Sequence, residues 1–362
     1  MRSCIQKTVA IWAPLRFVNY GDDMQAIAFA MHIKSMGYNV KVFLLEESLA
    51  KKYDLQTVST CLELFKNVNL CIIAGGSHMV PLHPAKQWLS STYRQYEIDF
   101  YEIVSAMKKY PNLKICPLSI GGDGKEHWPL WYYGLGRYRL FHSHQFIDGS
   151  VRLEGDVAQM AKMGRKMVYY PDMLFKSADY FIPEYLPKSE KYRVGFNFKK
   201  NSLDAKMIDA ILRYAEEHDD IEFHFTTTHM DKANLHYQYV PEKESKNIFI
   251  DKYTSPNQLL GVLGSMDVFI TSMLHVGLTG LTMGTPCLSY RGPGKTKAFL
   301  RSIGGDWAIV DDEITFEQLR SLFFTQSREQ LYNQFDVNAL ERFKTESGKH
   351  YDMCTEIVEK YA

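Results

Sequence analysis

The stretch 270–290 constrains this chain more than any other. It reads as a buried apolar strand, a turn carrying one histidine, a helix of small residues, and a second strand after Gly284-Thr285-Pro286. A strand that hands a polar side chain to a helix start places it at the carboxyl edge of a parallel sheet, where open α/β folds bind ligands. Backbone N–H groups at such a helix start favour an anion. His275 is therefore the first candidate for chemistry, and a phosphate or carboxylate the first candidate for substrate. The plainer alternative is a strand-end histidine satisfied by backbone, and the placement favours function.

The rest of the chain has the same rhythm. Short apolar strands are predicted at 8–13, 39–45, 69–74, 114–119, 145–151 and 166–170, with a clear helix at 22–36 that Gly37 stops. Pro183, Pro187 and mixed charges make 176–191 read as a linker. A second series follows, with strands at 192–198, 221–225, 248–250, 268–271 and 286–289 and helices at 204–217, 255–263 and 274–283. Alternation of this kind predicts an α/β protein of two Rossmann-like domains, each a parallel sheet with helices on both faces. The expected division is 1–178, 192–326, and polar helices at 327–362 that pack back on the first domain.

Composition narrows the function classes. Lysine plus arginine and aspartate plus glutamate both count 42, so no global field steers the chain toward nucleic acid and any anion site is local. Cys4, Cys61, Cys71, Cys116, Cys287 and Cys354 form no C-x-x-C pair, which predicts a reducing, cytoplasmic setting. No segment approaches the length of a transmembrane span. His142-Ser143-His144 lacks a third ligand, and His224, His229 and His236 form no convincing set, so no metal is expected.

Several loops could carry chemistry. Asn19-Tyr20-Gly21-Asp22-Asp23 opens the first helix, where the two carboxylates either cap it or face a sugar hydroxyl as a base. Gly75-Gly76-Ser77-His78 and Gly121-Gly122-Asp123-Gly124 end two strands and suit a ligand-facing rim, though neither is a dinucleotide fingerprint. Gly292-Pro293-Gly294-Lys295-Thr296 fails as a P-loop because Ser289 stands where its first glycine belongs. Arg291, Lys295 and Lys297 either line the same sheet edge as His275 or form a solvated basic turn. The run from Trp128 through Trp131 to Tyr133, with Arg137 and Arg139, either packs into the core or offers rings to a sugar.

Taken together, Asn19-Tyr20-Gly21-Asp22, Gly75-Gly76-Ser77, Val151-Arg152-Leu153-Glu154, Tyr170-Pro171-Asp172, Thr271-Ser272-Met273-Leu274-His275, Gly284-Thr285-Pro286 and Tyr290 through Lys295 resemble the polysaccharide pyruvyl transferase family. The resemblance covers about residues 18–300. It departs at Met273, where the family has arginine, and at Leu153, where it has an acid; Arg16, Arg137, Arg291 and Lys295 are candidate substitutes for the missing cation. It implies a glycosyltransferase-B-like fold with the acceptor on the first domain and the donor on the second. It also implies a cofactor-free and metal-free transfer from phosphoenolpyruvate to two hydroxyls of a sugar, releasing phosphate. His275 would then be the general acid and Asp22 or Asp23 the base. Arg152, Ser272, Arg291, Lys295, Gly75 and Gly76 would hold the donor, and Asn19, Gly121, Asp123, Trp131 and Arg137 the acceptor. A lipid-linked acceptor would bring peripheral association with the inner membrane face. The competing readings are a nucleotide-sugar glycosyltransferase and a non-catalytic glycan binder.

Overall fold

The computed structural model describes residues 7–83, 85, 89–124, 128–199, 205–230, 238–311 and 314–362. Cys4, Asp204 and His236 lie outside them. Two compact units result. The first comprises Met1–Val18, Asp22–Met173 and Thr345–Ala362, the second Asn19–Gly21 and Leu174–Lys344.

In the first unit, β1 (Thr8–Trp12), β2 (Asn39–Phe43), β3 (Gln56–Val58), β4 (Leu70–Ala74) and β5 (Lys114–Leu118) form a parallel sheet in the order β3-β2-β1-β4-β5. Parallel neighbours need long crossovers, supplied by the helix Tyr20–Ser35 between β1 and β2 and by Ser91–Met107 between β4 and β5. β4 is buried at all five positions, as a strand covered on both faces must be. The direction of strand addition reverses between β1 and β4, so their carboxyl ends flank the crevice of this sheet.

The strand expected at 145–151 is mostly irregular: Phe146 bridges Ile115, and only β6 (Ser150–Val151) pairs, with β7 (Val168–Tyr169). Pro117 explains the lapse. Ile115 exchanges both backbone bonds with this segment, Ile115 N–H to Gln145 O and Ile147 N–H to Ile115 O, each at 2.8 Å. Two residues on, proline has no N–H to offer. Gly149 fits there only because it lacks a Cβ, which would sit 1.9 Å from the Pro117 carbonyl oxygen.

The second unit holds β8 (Tyr192–Asn197), β9 (Ile221–Thr226), β10 (Ile248–Asp251), β11 (Val268–Thr271), β12 (Cys287–Tyr290) and β13 (Ile309–Val310), parallel in the order β10-β9-β8-β11-β12-β13. Addition reverses here between β8 and β11, whose last residues Asn197 and Thr271 are in register. The helix Leu274–Thr282 follows β11 directly and lies close on the sheet. A Cβ at Gly280 would come 2.4 Å from the Cys287 Sγ, which is why this helix is built of small residues. The C-terminal stretch forms Arg328–Tyr332, Val337–Ser347 and Lys349–Tyr361, and the last clusters with the first unit. Cys61, Cys71, Cys116, Cys287 and Cys354 are buried free thiols whose pKa burial pushes up. Among the described residues no helix is long and apolar enough to cross a membrane.

Candidate active site

The reversal between β8 and β11 puts the turn 272–275 in the crevice of the second sheet. Its backbone is pinned from three sides. Ser272 N–H donates to Asn197 O at 3.0 Å, the Ser272 hydroxyl accepts Lys199 N–H at 2.8 Å, and Met273 N–H donates to Thr271 Oγ1 at 2.9 Å. Ser272 is fully buried and its oxygen already takes that N–H, so its evident work is to lock the two strand ends together. His275 sits in the first helical turn and is half-buried rather than sealed in the apolar interior.

A segment remote in sequence lies against the ring. Asn19 bridges His229, Tyr20 N–H donates to Thr228 O at 2.8 Å, and the Tyr20 hydroxyl donates to Thr279 Oγ1 at 2.9 Å. The Thr279 hydroxyl donates in turn to the His275 carbonyl at 2.7 Å. Gly21 then lies so close to the imidazole that a Cβ there would fall 1.8 Å from its Nδ1. Asn19 Oδ1 accepts Gly21 N–H at 3.2 Å, which makes Asn19 the cap of the helix Tyr20–Ser35. Asp22 and Asp23 occupy the first turn, where their charge suits the dipole; Asp22 is half-buried and Asp23 is buried.

The neighbouring strand end also carries polar groups. Arg291, at the end of β12, adopts a left-handed φ of 47° and stacks over Tyr290. The helix Gly294–Ser302 begins just beyond, with Lys295 in its first turn. Ser289 and Thr296 are buried, and neither hydroxyl has a hydrogen-bond partner among the described residues. Gly292 separates them closely enough that a Cβ there would meet the Ser289 Oγ at 2.2 Å. Buried hydroxyls beside a helix N-terminus are equipped to bind an anion's oxygens. Lys297 instead pairs with Asp311 at 2.7 Å.

At the edge of the first unit, Gly75 N–H donates to Leu118 O at 2.8 Å and Gly76 N–H to Gln25 Oε1 at 2.9 Å. Gln25 Nε2 reaches Asp172 Oδ1 at 3.3 Å, and Asp172 Oδ2 accepts from Arg152 at 3.0 Å. Arg152 is thus the cation of a buried ion pair, not an open anion anchor, and Gly121 gives its side chain room. Arg137 departs further from expectation: it is fully buried, with Nε on Glu97 at 2.6 Å and Nη1 on the Val80 carbonyl at 2.7 Å, and serves the core. Asp123 accepts from the Trp128 indole at 2.8 Å, while Trp131 is 61% exposed. Asp156, absent from the sequence reading, accepts Gly122 N–H at 2.7 Å, and burial raises its pKa to about 6. His142 Nδ1 donates to the Tyr138 carbonyl at 2.8 Å.

His350, from the C-terminal helix, braces the same edge. Its Nε2 donates to the Pro171 carbonyl at 3.0 Å, which leaves Nδ1 to accept the Ser150 hydroxyl at 2.8 Å. Burial holds its pKa down to about 4. The folded value lies below the unfolded one, so this contribution to stability is complete above about pH 6.5 and is lost as pH falls toward 4. We expect the stability gap between wild type and His350→Gln to narrow by about 2 kcal/mol between pH 7.5 and pH 5, read from paired urea melts.

The sequence profile of the polysaccharide pyruvyl transferase family matches residues 19–291. The chain belongs to that family. No curated protein sequence matches it. Among solved structures it is similar to the UDP-GlcNAc 2-epimerase from Methanocaldococcus jannaschii, with a TM-score of 0.55, 11% identity, and 94% of this chain and 99% of that one covered. The UDP-GlcNAc 2-epimerase from Neisseria meningitidis gives 0.53, 8%, and 98% and 99%. The glycosyltransferase SnogD from Streptomyces nogalater gives 0.51, 12%, and 98% and 99%. At such identities the likeness shows the fold, two Rossmann-like units of the glycosyltransferase-B type.

In this pyruvyl transferase family member, Met273 caps the helix Leu274–Thr282 by position and is half-buried. Its backbone keeps the turn while its side chain brings no charge. Arg291 and Lys295 lie in the same unit as Met273, at the end of the strand adjoining β11. Arg16 pairs with Asp99 at 2.7 Å, and Arg137 with Glu97, both in the first unit. Gly21, Tyr20 and Thr279 escaped the sequence reading as supports of His275, since nothing local in either segment announces a contact over 250 positions.

Proposed function

We propose that the protein transfers the three-carbon unit of phosphoenolpyruvate to a sugar of a surface-polysaccharide precursor, forming a cyclic pyruvate ketal. Family membership and the place of His275, half-buried at the crevice of the second sheet, are the observations that carry this reading. Imidazole is the side chain that titrates near neutrality, so it can give a proton to the methylene carbon of the enol phosphate. Positive character develops at the adjacent carbon, which one sugar hydroxyl attacks. A second hydroxyl closes the ring as the carbon–oxygen bond to phosphate breaks. Of the two hydroxyl protons released, one replaces that given to the new methyl group and the other leaves with phosphate.

Donor recognition is assigned to the second unit. The N–H groups opening Leu274–Thr282 and Gly294–Ser302, the Ser289 and Thr296 hydroxyls, Arg291 and Lys295 suit a small anion with two charged ends. Asp22 keeps enough exposure to serve as the base for the sugar hydroxyl.

Met273 and the fold of the structural neighbours motivate one alternative, a nucleotide-sugar donor. Thermal-shift titration separates the two. The proposal expects phosphoenolpyruvate to raise Tm and nucleotide sugars to leave it unchanged; the reverse pattern refutes it.

A further inference from the structure

We propose that the outer face of two neighbouring helices in the first unit docks on an anionic lipid surface. The helices Ser91–Met107 and Gly134–Phe141 lie against each other: a Cβ at Gly136 would fall 3.0 Å from the Phe100 Cβ and 3.3 Å from Tyr101 N. The Arg137–Glu97 pair fixes them together. Away from that seam the first helix exposes Tyr93, Ile98 and Tyr101, the second exposes Leu135 and Tyr138, and Trp131 stands in the turn leading into it. With Leu89 these make seven of the twelve exposed large apolar side chains among the described residues, a cluster and not the usual scatter.

Charge on the same two helices is sorted by face. Every acid is taken up elsewhere: Glu97 by Arg137, Asp99 by Arg16, and Glu102 by the Cys61 N–H at 2.7 Å. The second helix has no acid at all. Apart from buried Arg137 the cations are exposed, Arg94 and Arg139 on the helices and Lys108 at the C-terminal cap of the first. Among the described residues of these two helices, the face therefore offers aromatic rings, aliphatic side chains and positive charge, with every carboxylate paired or hydrogen-bonded. Rings of Tyr and Trp settle at the headgroup level of a bilayer, and each cation near an anionic surface strengthens binding by roughly fivefold. A second copy of the chain fits poorly, because a two-fold contact would set these cations against themselves.

The test is co-sedimentation of the full chain with vesicles, without substrate, so that its outcome is independent of the donor assignment. Phosphatidylcholine vesicles containing phosphatidylglycerol should bind the protein, and phosphatidylcholine alone should not. Arg94→Ser/Arg139→Ser should bind about 25-fold more weakly. Tyr101→Ser/Leu135→Ser should also lose binding, with Tm and elution volume of the wild type in both variants. Absence of binding to the anionic vesicles overturns the proposal, as do variants that bind like wild type. So does a wild-type dimer that either variant converts to monomer, which would assign the face to self-association, and binding only to an acidic protein.

Discussion

Asparagine at His275 is expected to lower kcat by about 10³-fold while changing the KM for phosphoenolpyruvate little. Asn keeps hydrogen-bonding capacity at the start of Leu274–Thr282 but cannot deliver a proton to carbon near neutral pH. Because His275 is half-buried and its main chain is held by the Thr279 hydroxyl, the exchange should spare the turn. A phosphate-release assay with acceptor present, run across pH, would show the limb attributable to the acid vanish in the variant. A variant within threefold of wild type would remove His275 from the chemistry.

The second large effect is expected from Gly21→Ala, a change that on helix propensity alone should stabilise the chain by about 1 kcal/mol. The added methyl would instead collide with the imidazole, 1.8 Å from Nδ1, 2.6 Å from Cγ and 2.7 Å from Cε1. The ring must swing away, and misplacement by about 1 Å costs on the order of 10²-fold in rate. Activity should therefore fall about 10²-fold with Tm unchanged or raised. Loss of both together would mean that Gly21 serves the fold and not the position of His275.

The sequence disclosed the fold well where apolar strands stood alone. β4, β11 and β12 are continuous buried runs and β8 is buried over its last four residues, and their reading needed no tertiary information. The helix Ser91–Met107 escaped notice because two of its buried positions carry Glu97 and Asp99, acids held by arginines from elsewhere in the chain. Ion pairs placed on a core face blur the 3.6-residue pattern on which helix prediction depends. Three-residue β3 and two-residue β13 are too short to show any period.

Site residues divide in the same way. His275 was legible because strand, turn and helix are contiguous there. Arg152 and Arg137 were legible as cations but not as partners of Asp172 and Glu97, since burial and pairing are decided by residues 20 and 40 positions away. The contact between Gly21 and His275 is longer still, and only the folded chain displays it.

The most direct test follows phosphoenolpyruvate with the wild-type enzyme and a sugar acceptor in D₂O, measuring phosphate and the mass of the sugar product. The account predicts one phosphate released per ketal formed, no release without acceptor, and one deuterium in the ketal methyl group. Phosphate release at the same rate without acceptor, or transfer of a sugar from a nucleotide with phosphoenolpyruvate untouched, would contradict it.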